Sequence, residues 1–225
     1  MRSAIGILVA LTISFASHSQ RTYVGFFPEA AVSKKVGESW KLTGKIESQH
    51  ILFSNDAISN NEWGYEHDRT DLQFFVARNL TLRTKGALGY QFRIEGKGKN
   101  SHRTIQQIGW LSNFRNYRLG HRVRADQTFF EEGVSWRMRY RISSDIPING
   151  QVLDPCENYL IASNELIAEY FESEINLENR LVAGIGWYFK NKQKLELSID
   201  YRLDPIVSSP QRNRIWTKVS FYLNL

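Results

Sequence analysis

Residues 135–142 read SWRMRYRI, so Arg137, Arg139 and Arg141 alternate with Trp136, Met138, Tyr140 and Ile142. A period of two is the mark of a β-strand, because successive side chains point to opposite faces of a sheet. Here one face is guanidinium and the other apolar. The same division recurs along the chain: Trp40, Leu42 and Ile46 alternate with Lys41, Thr43, Lys45 and Glu47, and Leu80, Leu82, Leu88, Tyr90, Phe92 and Ile94 share one strand face while Arg83, Lys85, Gln91, Arg93 and Glu95 hold the other. Ten such strands are predicted from Glu38 to Leu225, with turns at Arg78–Asn79, 113–116 and 190–193 and longer polar loops at 54–67, 96–103 and 204–213. The loop at 150–158 falls on the side expected to be short. An eleventh strand at Tyr23–Val32 conflicts with the even number expected when both chain ends lie on one side of a membrane.

Two architectures produce alternation. In a soluble sandwich the apolar face packs inward and the arginines face water. In a transmembrane barrel the apolar face meets lipid and the arginines line the lumen. Strands of ten or more residues, where soluble ones average about five or six, favour the barrel. So does the aromatic content of the apolar faces, where Trp40, Trp110, Trp136 and Trp187 with Tyr90 and Tyr140 suit headgroup girdles.

The N-terminal stretch MRSAIGILVALTISFASHSQ agrees. It has a basic Arg2, an apolar run too short to cross a bilayer and small residues before Gln20, and reads as a secretory signal peptide over 1–19. The expectation is an all-β protein: one transmembrane antiparallel β-barrel of 10–12 strands over residues 20–225, in a bacterial outer membrane. Outer-membrane lipids and lipopolysaccharide are the expected surroundings. The C-terminal strand RIWTKVSFYLNL alternates to the last residue, as the strand recognised by a barrel-assembly machinery does.

If the barrel holds, its lumen is charged. In YRLGHRVRAD the residues Arg118, Arg122, Arg124 and Asp126 share the polar face, so two neighbouring strands present six arginines to one interior wall. Like charges at cross-strand spacing repel, and the carboxylates placed to answer them are Glu165, Glu169 and Asp200; Arg180, Arg202 and Asp126 rank lower among the site residues. Such a wall either fills the lumen structurally or binds a small anion. Nucleic acid is set aside as a partner, because an exported chain with interspersed acidic residues does not meet it.

The runs TIQQIGWLSNFRNYRLGHRVRADQTF, SWRMRYRI, IPINGQ, YLIASNEL and NRLVAGIGWYF resemble the family of domains of unknown function numbered 2490, outer-membrane barrels common in Bacteroidetes-like bacteria. The resemblance implies a barrel fold and an outer-membrane address over about residues 22–225, without an activity. It marks Arg122, Arg124, Gln127, Arg137, Arg139, Arg141, Asn164, Glu165, Arg180 and Gly184 as pattern positions, Gln127 standing where the pattern often has Glu.

Chemistry beyond the lumen leaves fainter traces. His50, near Ser48, Ser54 and Asp56, is the one arrangement at a strand end that fits a membrane-rim hydrolase. No glycine loop for phosphates and no calcium-ligand set is present, so no cofactor or metal is expected, and Cys156, the only cysteine, excludes an internal disulfide. Three readings stay open: a narrow pore or small-anion-binding barrel, a lipid- or lipopolysaccharide-modifying hydrolase, and a structural surface protein acting through loops such as the basic tip GKGKN.

Overall fold

The computed structural model describes residues 21–56, 59–114, 117–131, 133–150, 152–207 and 210–225, and the expected signal segment lies outside them. Eleven strands follow in order: β1 (Arg21–Val36), β2 (Trp40–Asp56), β3 (Ser59–Asn79), β4 (Thr84–Glu95), β5 (Ser101–Phe114), β6 (Tyr117–Phe129), β7 (Val134–Pro147), β8 (Glu157–Phe171), β9 (Glu174–Tyr188), β10 (Lys194–Asp204) and β11 (Arg212–Asn224). Each pairs antiparallel with the next, and β1 pairs with β11 to close the barrel. The strand count falls inside the expected range, but it is odd. Up-and-down connection of an odd number of strands makes the first and last run in the same direction, so the closing pair is parallel, from Arg21↔Arg212 to Ser33↔Asn224. The expectation of an even, wholly antiparallel barrel is corrected at this one seam. The chain enters β1 at one rim, here the N-terminal rim, and leaves β11 at the other.

The alternation sorts side chains as read from the sequence. Leu88, Met138 and Phe74 stand outward at 66%, 55% and 50% exposure, whereas Asp126, Arg202 and Arg139 point inward at 0%, 2% and 8%. Trp40 and Trp187 lie toward the C-terminal rim of the outer wall, and Trp136 with Trp63 and Tyr170 toward the N-terminal rim.

Large apolar side chains also enter the lumen, which the alternation did not announce. Trp216, Tyr159 and Phe75 are buried on inward positions, and each lies opposite a glycine of the neighbouring strand: Gly25, Gly186 and Gly89. A Cβ at Gly186 or Gly89 would stand 2.2 or 2.4 Å from the facing ring, and at Gly25 2.6 Å from the indole of Trp216. The rings therefore lie across the glycines, covering backbone that has no side chain of its own.

The expected contrast between short turns and long loops is absent. Segments 96–100 and 172–173 connect strands at one rim, and 80–83, 148–156 and 189–193 at the other. The turn expected at Arg78–Asn79 falls at 80–83, with Leu80 and Leu82 in it rather than on a strand. The polar loop expected at 54–67 is largely strand. β3 pairs with β4 only from Arg69↔Glu95 onward, while its N-terminal half continues against β2 through His50↔His67 and Phe53↔Trp63. Polar composition hid this ribbon, because its register shifts break the strict alternation of β2.

Candidate functional site

The lumen encloses a cavity of about 650 Å³ lined by sixteen Lys and Arg and nine Asp and Glu side chains. Its basic wall comes from β6 and β7, whose register sets Arg122 opposite Arg141 and Arg124 opposite Arg139. Direct apposition of like charges is destabilising, and each guanidinium has a different remedy. Arg122 donates to Glu165 at 2.7 Å, Arg141 to Ser163 Oγ at 3.1 Å, and Arg124 to Gln107 Oε1 through Nε and Nη2 at 3.2 and 2.8 Å. Arg139 contacts Asp126, which has no solvent exposure. Arg124 also lies over the Phe75 ring, 5.5 Å from its centroid, a favourable cation–π placement.

Five of the six arginines assigned to this wall line the cavity: Arg122, Arg124, Arg137, Arg139 and Arg141. Arg118 does not. It is exposed at the end of β6, because the strand has left the lumen there.

Of the carboxylates, Glu165 faces the wall, also lying 3.8 Å from Arg180. Glu169 lines the cavity but accepts from Ser135 Oγ at 2.5 Å. Asp200 is turned to its own strand, taking both fork nitrogens of Arg202 at 3.0 and 2.7 Å. The counter-ion placed closest to the wall is thus Asp126, from the same strand as Arg122 and Arg124.

Other charged groups that the alternation left unranked complete the lining. Arg93 grips Asp71 through two bonds of 2.7 and 2.8 Å. Glu178 takes Arg180 at 2.7 and 3.1 Å and Arg214 at 3.3 Å, while Asp204 takes Arg214 and Arg212 at 2.8 and 2.9 Å. Glu29 joins Lys45 of β2 and Lys218 of β11, each at 2.8 Å, and accepts from the Tyr222 hydroxyl at 2.7 Å. The inward parity of these residues was legible strand by strand, but which acid meets which base depends on register across the closed ring.

His50 is on the outer wall, away from this cavity. Its Nδ1 shares a 2.9 Å hydrogen bond with Tyr65, and its ring stacks on the same tyrosine, while Ser48 bonds Thr70 at 2.8 Å. The serine and histidine are therefore engaged with different partners. The pattern amides Gln127 and Asn164 also face outward, paired with Gln106 and Asn179. Among the described residues no group of three His, Cys, Asp or Glu is placed to hold a metal ion.

An outward apolar wall around a lumen of paired and excess cations defines a closed β-barrel with a basic interior. The model of the family described as protein of unknown function (DUF2490) matches residues 24–220, and the chain belongs to that family. No significant match to the chain was found among curated proteins or among solved structures.

Proposed function

We propose that the chain is an outer-membrane barrel that crosses the lipid with its strands and holds small anions in a narrow, arginine-rich lumen. The observation that carries the reading is the inside-out placement of side chains: arginine and aspartate buried in the centre, leucine, methionine and phenylalanine exposed on the circumference. In water that arrangement exposes apolar area and buries charge, both unfavourable; in a bilayer it matches the surroundings on each side. Aromatic side chains toward both rims suit the headgroup layers, so outer-membrane lipid and lipopolysaccharide are the neighbours of the outer wall. An N-terminal signal and a C-terminal strand presented to a barrel-assembly machinery belong to the same reading.

Binding is favoured over free conduction, because ion pairs occupy much of the lumen and the cationic excess of the lining retains an anion. Reconstitution tests this. Purified protein should float with lipid vesicles and, in planar bilayers under a potassium chloride gradient, pass either a small anion-leaning current or none. Protein that stays monodisperse without detergent and does not float, or a cation-selective current, sinks the reading.

A further inference from the structure

We propose that Arg137 and Arg139, with Arg103 and Arg124 beside them, form a site for one small divalent oxyanion of the phosphate class. The proposal rests on the reading of the lumen as anion-holding and names what it holds. Arg124 and Arg139 face each other across β6 and β7, Asp126 and Arg137 form the next inward pair, and Arg103 joins from β5 by donating to Thr128 at 2.7 Å. All four guanidinium side chains belong to residues more than nine-tenths buried. Two carboxylates stand against them, Asp126 in contact with Arg139 and Glu169 held by Ser135. Four cations against two anions leave two positive charges unanswered, which a dianion balances and a halide does not.

The free donors give the shape of the ligand. Nε and Nη2 of Arg137 and Nε of Arg139 are buried without a hydrogen-bond partner. Asp126, whose two carboxylate oxygens are likewise buried without a hydrogen-bond partner, stands 3.7 Å from Arg137 Nε, beyond hydrogen-bond reach, so it offsets charge without occupying these donors. Nε and Nη2 are the edge of a guanidinium that takes two oxygens of one oxyanion in parallel. Arg124 has its Nε and Nη2 on Gln107, and Arg103 uses Thr128 and Gln91, so these two act chiefly as charge. Buried donors of this kind are almost always paired in folded proteins, and both Arg137 and Arg139 line the cavity from which an acceptor can come.

The full-length protein, folded in detergent at low ionic strength, is titrated calorimetrically with inorganic phosphate. Saturable uptake near one phosphate per chain is expected, with chloride at equal ionic strength failing to displace it. Arg137→Lys keeps the charge and removes the fork, and should weaken binding about tenfold or more; Arg139→Lys serves if that variant fails to fold. Arg118→Gln, at the exposed rim, should bind as the parent does. A folded parent that takes up no phosphate, or folded lysine variants that bind it undiminished, overturns the proposal. Glycerol 3-phosphate in place of inorganic phosphate separates a phosphorylated group from the free ion as the natural occupant. Vesicle flotation keeps the two readings apart: a barrel that floats but ignores phosphate removes this site alone, and one that binds phosphate without floating removes the membrane reading alone.

Discussion

Met138→Arg tests directly which solvent the outer wall meets. Met138 is 55% exposed near the middle of the outer face of β7, flanked along the strand by Trp136 and Tyr140 and across it by Ala125 and Ala168. None of these neighbours offers a carboxylate to a guanidinium. On a water-facing wall the change lies within about 0.5 kcal/mol, as for surface substitutions away from special features. On a lipid-facing wall an arginine near the midplane costs about 2–4 kcal/mol. The internal reference is Leu82→Arg, in the turn between β3 and β4, where the parent leucine is fully exposed beyond the strands. Both variants are folded into lipid vesicles and unfolded reversibly in urea, followed by tryptophan fluorescence. The expected result is a loss of about 2–4 kcal/mol for Met138→Arg and almost none for Leu82→Arg. Equal, near-zero losses for the two refute a lipid-facing wall.

Gly89→Ala should destabilise by about 1–3 kcal/mol, because the new methyl meets the Phe75 ring at 2.4 Å; in a double-mutant cycle with Phe75→Ala the extra penalty should vanish, measured by the same urea series. Asp126→Asn removes the carboxylate beside Arg139 and Arg137 and should cost about 3–5 kcal/mol, the range for breaking a buried pair from one side; an unchanged urea midpoint would contradict its role as counter-ion. Epitope tags inserted at 172–173 and at 189–193 should be reached by antibody from opposite faces of sealed vesicles, since those connections lie at opposite rims; simultaneous access to both contradicts the strand directions.

The lumen was legible where alternation was strict. Arg137, Arg139 and Arg141 could be placed inside from their spacing alone, as could Glu165 and Asp200, because parity decides the face once one face is known. Partnerships were not legible. Asp200 pairs with Arg202 two residues on, and Glu178 gathers arginines of β9 and β11, since side-chain reach and ring closure choose among several candidates of equal parity. Gly25, Gly89 and Gly186 carried an unused signal: a glycine on the inward parity of a strand interior asks for something to cover it. Read so, they point to Trp216, Phe75 and Tyr159 on adjoining strands. Arg118 shows the limit in the other direction, since parity gives the face but not the depth at which a strand leaves the lumen.

The parallel seam bears on the order in which the ring is made. Ten of its eleven interfaces join strands adjacent in sequence, whereas the seam joins Arg21 to Arg212 and Ser33 to Asn224, nearly the whole chain apart. Closing so long a loop is the most demanding entropic step, so hairpins zip from β1 to β11 first and the two outermost strands, β1 and β11, meet last. Until then the sheet has two open edges. Glu29 acts as the latch, because only the native alignment brings its carboxylate to both Lys218 and Tyr222 of β11 while it keeps Lys45 of β2. A slip of two residues along the seam would cost that buried carboxylate two of its three partners and leave it with Lys45 alone, so the final click of assembly favours one alignment.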